Sequence, residues 1–154
     1  MEKIELDKVV HQELIIVGTK AKNKKEIIDQ LGQLLEKKGY VTSAEEYIKD
    51  VYLREEEGET GIGQGVAIPH GKSSAVKETT VAIAVLDQEI EWETLDGKGV
   101  KIVIMFAVKD SDANTTHVLL LQQVAILLAN DTFIEAAKNV KSVDALYQLI
   151  TEFQ

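Results

Sequence analysis

The chain lacks cysteine entirely and has a single proline, a single tryptophan and three histidines among its 154 residues. The absence of cysteine excludes disulfides, a thiol nucleophile and thiolate zinc sites. The longest clean apolar run, residues 102–108, is far too short to cross a bilayer. No basic stretch followed by an apolar segment stands at the start of the sequence. We therefore predict a cytoplasmic protein with no direct membrane insertion.

Positive charge is also scarce, since 17 Lys and Arg stand against 26 Asp and Glu, for a formal net charge of -9. No stretch combines clustered Lys or Arg with interleaved aromatic residues. This balance repels phosphate backbones and argues against nucleic-acid binding. An acidic surface serves solubility, and the alternative is that it attracts a basic protein partner.

The chain is long enough to bury a core of its own, and its composition is that of a globular protein. Apolar residues make up 45% and charged residues 28% of the sequence, far from the composition of disordered chains. We find no internal repeat, low-complexity tract or linker. The sequence therefore predicts one domain covering residues 1–154.

Two amphipathic helices are predicted in the first third of the chain. Asn23 with Glu26 three residues later is a capping pattern, apolar residues then recur at helical spacing, and Gly39 ends the segment. Ser43 and Glu46 repeat the capping pattern before a second helix, which we expect to run to about Arg54.

The rest of the chain contains three predicted strands and three predicted helices. Residues 12–18, 79–86 and 100–108 are predicted as strands, the last two covered on both faces, with an Asp96-Gly97 turn between them. Residues 115–129 are apolar on nearly every side and predict a central helix, followed by short helices from Asp131 and Ser142. The predicted fold is an α/β sandwich in which helices flank a mixed, mainly parallel sheet of about five strands.

The single proline lies in the segment GIGQGVAIPHGK, residues 61–72, which also holds four of the ten glycines. Pro69 fixes its own φ, forces Ile68 into an extended conformation and so directs the chain into His70. Gly71 lacks a Cβ and could let another molecule approach the imidazole. The alternative is that Ile68 and Pro69 end a strand and His70 is an ordinary surface histidine.

Several chemistries lack their sequence signature. The glycines are spaced G-x-G-x-G and lead to a proline, which does not fit a dinucleotide or P-loop motif. No G-x-S-x-G elbow marks a serine hydrolase, and no H-E-x-x-H or close ligand pair marks a zinc site. We therefore expect neither a cofactor nor a metal.

His117 is the second candidate site residue. It follows Asn114, Thr115 and Thr116, residue types that cap helices, and so is expected in the first turn of the predicted apolar helix. Free N–H groups and the helix dipole favour anions there, so this histidine could bind phosphate. The alternative is a capping or core-edge histidine, and nothing in the spacing shows that it meets His70. His11 has no comparable context.

At these residues the sequence resembles a known family. The segment TGIGQGVAIPHGK resembles the active-site segment of the fructose/mannitol-type enzyme IIA components of the bacterial phosphoenolpyruvate-dependent sugar phosphotransferase system. The upstream EKKGYVTSAEEYIKDVYLREE, the downstream ETLDGKGVKIVIMFAV and the later histidine helix follow the same pattern, so the resemblance covers about residues 24–153. A motif of this length in the right order is specific. The helix departs mildly, with H-V-L-L-L in place of the more usual H-L-x-x-L.

The resemblance implies a phosphotransferase that works through a phosphohistidine. His70 would accept a phosphoryl group from the phosphocarrier protein HPr and pass it to a IIB component, through which the chain could associate with a membrane IIC permease. The resemblance assigns to His117 and Arg54 the holding of the phosphoryl oxygens, with no metal. The alternative is a regulatory interaction module, as in the nitrogen-related branch of the family, whose phosphorylation state is read by a target protein.

Overall fold

A computed structural model describes residues 10–112 and 116–153, and for Asp112, Thr116 and His117 it describes the backbone alone. It is an α/β protein in which one strand is followed by two helices, then by five strands in succession and then by three helices. The strands are β1 (Val10–Thr19), β2 (Gly61–Gly63), β3 (Val66–Ala67), β4 (His70–Ser73), β5 (Thr80–Ile90) and β6 (Val100–Lys109). The helices are α1 (Lys24–Lys37), α2 (Ala44–Glu57), α3 (Thr116–Leu128), α4 (Asp131–Lys138) and α5 (Val143–Phe153).

The first two helices begin where their capping residues predict. The Asn23 side chain accepts a hydrogen bond from the Glu26 N–H, and the Ser43 side chain accepts one from the Glu46 N–H. These bonds satisfy N–H groups that have no partner inside the helix. The predicted end of α2 at about Arg54 is three residues early, because the helix continues to Glu57.

The sheet is mixed, as predicted, and contains six described strands where about five were expected. Its order is β1-β5-β6-β3-β2, with β4 also paired to β6. The pairs β1–β5, β3–β6 and β4–β6 are parallel, whereas β5–β6 and β2–β3 are antiparallel. Strands β2, β3 and β4 have only two to four residues each, too short to produce a recognisable alternation of apolar and polar residues.

The proline divides what would otherwise be a single strand. Val66 is in register with Ile102, and His70 with Phe106, so the same offset along β6 holds on both sides of Pro69. Pro69 has no N–H to donate, which interrupts the strand, but its carbonyl still accepts the Phe106 N–H at 3.0 Å. His70 therefore starts β4 in a fixed register.

Helices cover both faces of the sheet, as predicted for the two long central strands. Val81, Ile83 and Val85 point into a core formed with α3, α4 and α5. The alternate residues Ala82 and Ala84 point to the other core, formed with α1 and α2. This alternation is the period of two expected along a strand.

The prediction of a central position for the apolar helix α3 is wrong. Leu120 and Val124 are buried against the sheet, but Val118 is 48% and Ile126 66% exposed. The helix is buried only on the side that faces the sheet and α4. The apolar composition of α3 therefore exceeds what the sheet buries.

Within the described residues no single helix is long and apolar enough to span a membrane. The segments Val118–Leu128 and Asp131–Lys138 reach that length and composition together, but they meet at 85°.

Candidate functional site

His70 is held at the start of β4 by a bond to its own strand. Its Nδ1 lies 3.0 Å from the carbonyl oxygen of Ile68. Because a carbonyl only accepts, Nδ1 carries the proton, and the lone pair of the neutral ring resides on Nε2. Pro69 between the two residues restricts the backbone that makes this contact. The imidazole therefore has a defined tautomer and direction.

Arg54 reaches the other ring nitrogen from the last turn of α2. Its Nε donates to His70 Nε2 at 3.2 Å, and its Nη1 donates to the Gly58 carbonyl at 3.2 Å. The sequence named Arg54 and His70 separately, and the structure brings them into direct contact. A permanent cation thus lies against the ring nitrogen that has the lone pair.

The surroundings keep His70 in its neutral form. Burial lowers the pKa of His70 below its ordinary value, the hydrogen bond to the Ile68 carbonyl opposes this, and the nearby Arg54 charge lowers the pKa further. A neutral imidazole is the form that can act as a nucleophile.

The floor of the site is the strand β6 beside β4. The Phe106 ring lies 6.0 Å from the His70 ring, centroid to centroid, at 41°. The hydroxyl of Tyr47, a fully buried side chain on α2, donates to the Phe106 carbonyl at 2.7 Å. The helix that carries Arg54 is therefore bonded directly to the strand that pairs with His70.

Gly71 has a different role from the one expected. It is buried, and a Cβ at this position would lie 2.9 Å from Val51 Cγ2 and 3.0 Å from Tyr47 Cε1. The space above Gly71 is therefore filled by α2, and no other molecule can enter it. Its lack of a side chain lets α2 approach β4 closely enough for Arg54 to reach His70.

His117 is the second residue of α3, which places its backbone in the first turn as predicted. Its side chain lies outside what the structure describes, as do Asn114 and Thr115. His70 and Phe106 share one face of the sheet, and Leu120 and Val124 of α3 belong to the same buried cluster as Phe106. Helix α3 therefore belongs to the layer that covers the Phe106 face of the sheet.

A buried polar network beside the site was missed by the sequence analysis. The Thr60 hydroxyl donates to Glu55 Oε1 at 2.5 Å and accepts from Trp92 Nε1 at 3.1 Å. Lys24 Nζ binds the other oxygen of Glu55 at 2.8 Å. Lys24, Trp92 and the Glu55–Thr60 segment lie far apart in the sequence, so no spacing pattern indicates that they meet.

Across the described ranges 10–112 and 116–153, no group of three or more His, Asp or Glu side chains is placed to hold a metal ion. The described groups in contact with the His70 ring include the Arg54 guanidinium and the Ile68 carbonyl, beside the ring of Phe106.

The chain belongs to the enzyme IIA family with this architecture. Residues 8–153 match the family described as "Phosphoenolpyruvate-dependent sugar phosphotransferase system, EIIA 2", whose members act as phosphotransfer proteins. The resemblance found in the sequence is thereby confirmed.

Relatives within the family have different roles. The chain is 32% identical to the PTS system 2-O-alpha-mannosyl-D-glycerate-specific EIIABC component of Escherichia coli, a match that covers 96% of this chain and 22% of that protein. It thus spans about a fifth of the length of that relative. It is 26% identical to a nitrogen regulatory protein of Pseudomonas aeruginosa, over 98% of this chain and 97% of that protein.

Solved structures share the fold over nearly the whole chain. The nitrogen regulatory protein IIA-Ntr from Neisseria meningitidis superposes with a TM-score of 0.86 at 27% identity, covering 94% of this chain and 98% of that one. The enzyme IIA for mannitol of Escherichia coli, in complex with its phosphorylated enzyme IIB, superposes with a TM-score of 0.77 at 26% identity, covering 91% and 95%.

Proposed function

We propose that the protein is a phosphocarrier of the sugar phosphotransferase system, which accepts a phosphoryl group on Nε2 of His70 and passes it on. The observation that carries this proposal is the pair of contacts on the His70 ring. The Ile68 carbonyl at 3.0 Å fixes the proton on Nδ1, and Arg54 Nε lies 3.2 Å from Nε2. The nucleophilic lone pair therefore lies beside a cation that can bind the phosphoryl oxygens.

The transfer step follows from this geometry. With a phosphohistidine of HPr as the donor, the lone pair of Nε2 attacks phosphorus and the new N–P bond forms as the N–P bond of the donor breaks. The electron pair of the broken bond returns to the imidazole of the donor. As the His70 ring gains positive charge, the Ile68 carbonyl at Nδ1 stabilises it. The Arg54 guanidinium moves from Nε2 to the phosphoryl oxygens and offsets their charge.

His117 is proposed as a second donor to the phosphoryl oxygens. Support comes from the family resemblance and from the position of its backbone in the first turn of α3. N–H groups at a helix start favour anions, so the turn itself adds to the stabilisation.

The proposed partners are other proteins of the same phosphoryl relay. HPr is the donor that the resemblance implies, and a IIB component is the acceptor, as supported by the mannitol IIA–IIB complex of similar fold. A IIA component that exchanges phosphoryl groups only with proteins does not itself bind the sugar.

A regulatory role is the second candidate, with phosphorylation of His70 read by a target protein. The observation that favours it is the match to nitrogen regulatory proteins over nearly their full length, both in sequence and in structure. Transfer from phosphorylated His70 to IIB components of the same genome distinguishes the two, because a regulatory module is expected to retain the group.

The proposal is tested by phosphorylation in vitro with phosphoenolpyruvate, enzyme I and HPr. Intact-mass measurement should show one acid-labile phosphoryl group on the protein, and His70→Ala should show none. Retention of the group in His70→Ala would assign it to another residue.

Two further variants test the stabilising residues. Arg54→Ala and His117→Ala should each still accept the group, about a hundred- to a thousandfold more slowly, because each loses one donor to the transition state. Their circular dichroism spectra should match the wild type. Wild-type rates in either variant would remove that residue from the site.

A further inference from the structure

Thr60 connects the end of α2, which carries Arg54, to the segment that carries His70. It does so through both its side chain and its backbone. The residue is 2% exposed and lies directly before β2. Its hydroxyl donates to Glu55, the neighbour of Arg54, at 2.5 Å. Its carbonyl accepts the Ile68 N–H at 2.9 Å, and Ile68 in turn accepts the Nδ1 proton of His70.

Glu55 depends on this hydroxyl because its carboxylate has little access to water. Its side chain is 6% exposed, and each carboxylate oxygen has a donor, Thr60 on one and Lys24 on the other. A buried carboxylate needs such partners to offset its lost hydration. Burial alone would lower the pKa of Lys24, but its bonds to Glu55 and Glu93 outweigh this and raise it, so the ammonium stays charged.

The Thr60 hydroxyl is itself oriented. Trp92 Nε1 donates to Thr60 Oγ1 at 3.1 Å, so the proton of the hydroxyl is left to point at Glu55. Trp92 is 8% exposed in the loop between β5 and β6, and the Lys24 ammonium lies 5.0 Å from the centre of its ring. The side chains around Thr60 are thus held from α1, α2 and this loop at once.

We propose that Thr60 is a positioning residue for phosphoryl transfer at His70. Its hydroxyl fixes Glu55 and with it the last turn of α2, from which Arg54 extends. Its carbonyl fixes Ile68, which orients the imidazole. The inference rests on the proposed function of His70, and it adds a residue that touches neither the ring nor the phosphoryl group.

The consequence for catalysis comes from the geometry of the transferred group. In-line transfer requires the Arg54 guanidinium to reach the phosphoryl oxygens as the group meets Nε2, and a shift of about 1 Å in the end of α2 that carries Arg54 can slow the reaction a hundredfold. When the hydroxyl is removed, Glu55 keeps one donor and the end of α2 loses its bond to the strand side of the site. The Arg54–His70 distance of 3.2 Å is then no longer fixed from both sides.

The test compares Thr60→Val, which removes the hydroxyl at nearly constant shape, with Thr60→Ser, which keeps it. The matched control is Thr19→Val, because Thr19 is also buried and its hydroxyl donates to Gln30 at 2.7 Å between β1 and α1. Single-turnover transfer from phosphorylated HPr gives the maximal rate and the half-saturating HPr concentration. Nitrogen-15 NMR of the His70 ring reports the bond at Nε2 directly.

We expect Thr60→Val to lower the maximal rate about ten- to a hundredfold with half-saturation unchanged, and to move the Nε2 resonance of His70. The maximal rate of Thr60→Ser should remain within about threefold of wild type. Thr19→Val should match wild type in both its maximal rate and its Nε2 resonance. Should Thr60→Val fail to fold, Glu55→Ala removes the same hydrogen bond from the helix side and should give the same two changes.

The outcomes separate this inference from the proposed function. If wild-type protein takes no phosphoryl group on His70, the proposed function fails whatever Thr60 does. If wild type accepts the group and Thr60→Val transfers at the wild-type rate with an unmoved Nε2 resonance, the positioning role of Thr60 is wrong. If Thr60→Val and Thr19→Val lose rate equally, the loss is a general effect of removing a buried hydroxyl, and the positioning role of Thr60 is wrong.

Discussion

A single side chain, His70, is kept neutral by forces that the sequence alone does not reveal. Its segment predicted a directed histidine, since proline restricts the preceding backbone. The lowered pKa, however, arises first from burial and then from the charge of Arg54, against the opposing bond to Ile68. The charge of Arg54 reaches the ring through the approach of α2, and Arg54 lies 16 residues earlier in the chain than His70.

The lowered pKa of His70 makes folding stability depend on pH. As the pH falls below about 6.5, the unfolded chain binds a proton at this residue while the folded protein still excludes it. The stability due to neutral His70 is therefore present above the unfolded pKa and declines as the pH falls toward the folded value. We expect urea unfolding to show a larger loss of stability between pH 7.5 and pH 5.5 for wild type than for His70→Gln.

An NMR titration checks the same prediction at the residue itself. The pKa of His70 should lie below its ordinary value, and Arg54→Ala should raise it, because a positive charge that disfavours the imidazolium is then lost. A titration of His70 at or above 6.5 in the wild type would contradict both the burial and the charge argument.

Among the elements, the contact of α2 with β4 decides whether the site forms. Gly71→Ala would place a Cβ 2.9 Å from Val51 Cγ2 and 3.2 Å from the Val51 backbone nitrogen, and the helix backbone cannot yield as a flexible side chain would. We expect a loss of about 1 to 3 kcal/mol in the free energy of unfolding. Because Arg54 lies on the displaced helix, phosphoryl transfer should slow as well.

Lys72→Ala is the control for this change, since Lys72 is the exposed next residue of the same strand. Its stability should stay within about 0.5 kcal/mol of wild type. Urea unfolding of both variants decides the matter, and equal stability of Gly71→Ala and Lys72→Ala would show that α2 has room to move.

The helices and strands differ in how well the sequence predicts them. Helices α1 and α2 are predictable because their caps at Asn23 and Ser43 and their apolar spacing are local. Strands β5 and β6 are predictable from their long apolar runs. By contrast, β2, β3 and β4 exist through pairing with distant strands, and the exposed side of α3 depends on how much of the sheet the other helices leave free.

The same limit applies to the candidate site. His70 and Arg54 were named from the sequence through the family resemblance, and the His70 segment also from its proline. Their direct contact could not be read from spacing, because it depends on Gly71 admitting the helix. Thr60 is the first residue of the segment that carries the family resemblance, but the sequence assigned it no role, because its partner Trp92 is 32 residues away.

At the scale of the whole molecule, one sheet serves two cores. Successive residues of β5 and β6 alternate between the core under α3, α4 and α5 and the core under α1 and α2. Neither helix layer can lose its packing without exposing one face of the same strands. We therefore expect the described fold to unfold in one cooperative transition.

Leu146→Ala tests whether the two cores unfold together, because Leu146 and Trp92 lie in different cores. Leu146 on α5 is 1% exposed in one core, and Trp92, the single tryptophan of the chain, belongs to the other. Truncating the leucine should lower the free energy of unfolding by about 2 to 5 kcal/mol. If the sheet couples the two cores, the urea midpoint seen by Trp92 fluorescence should shift as much as the midpoint seen by circular dichroism. A Trp92 midpoint that stays at its wild-type value while the dichroism midpoint falls would show that the two helix layers unfold independently.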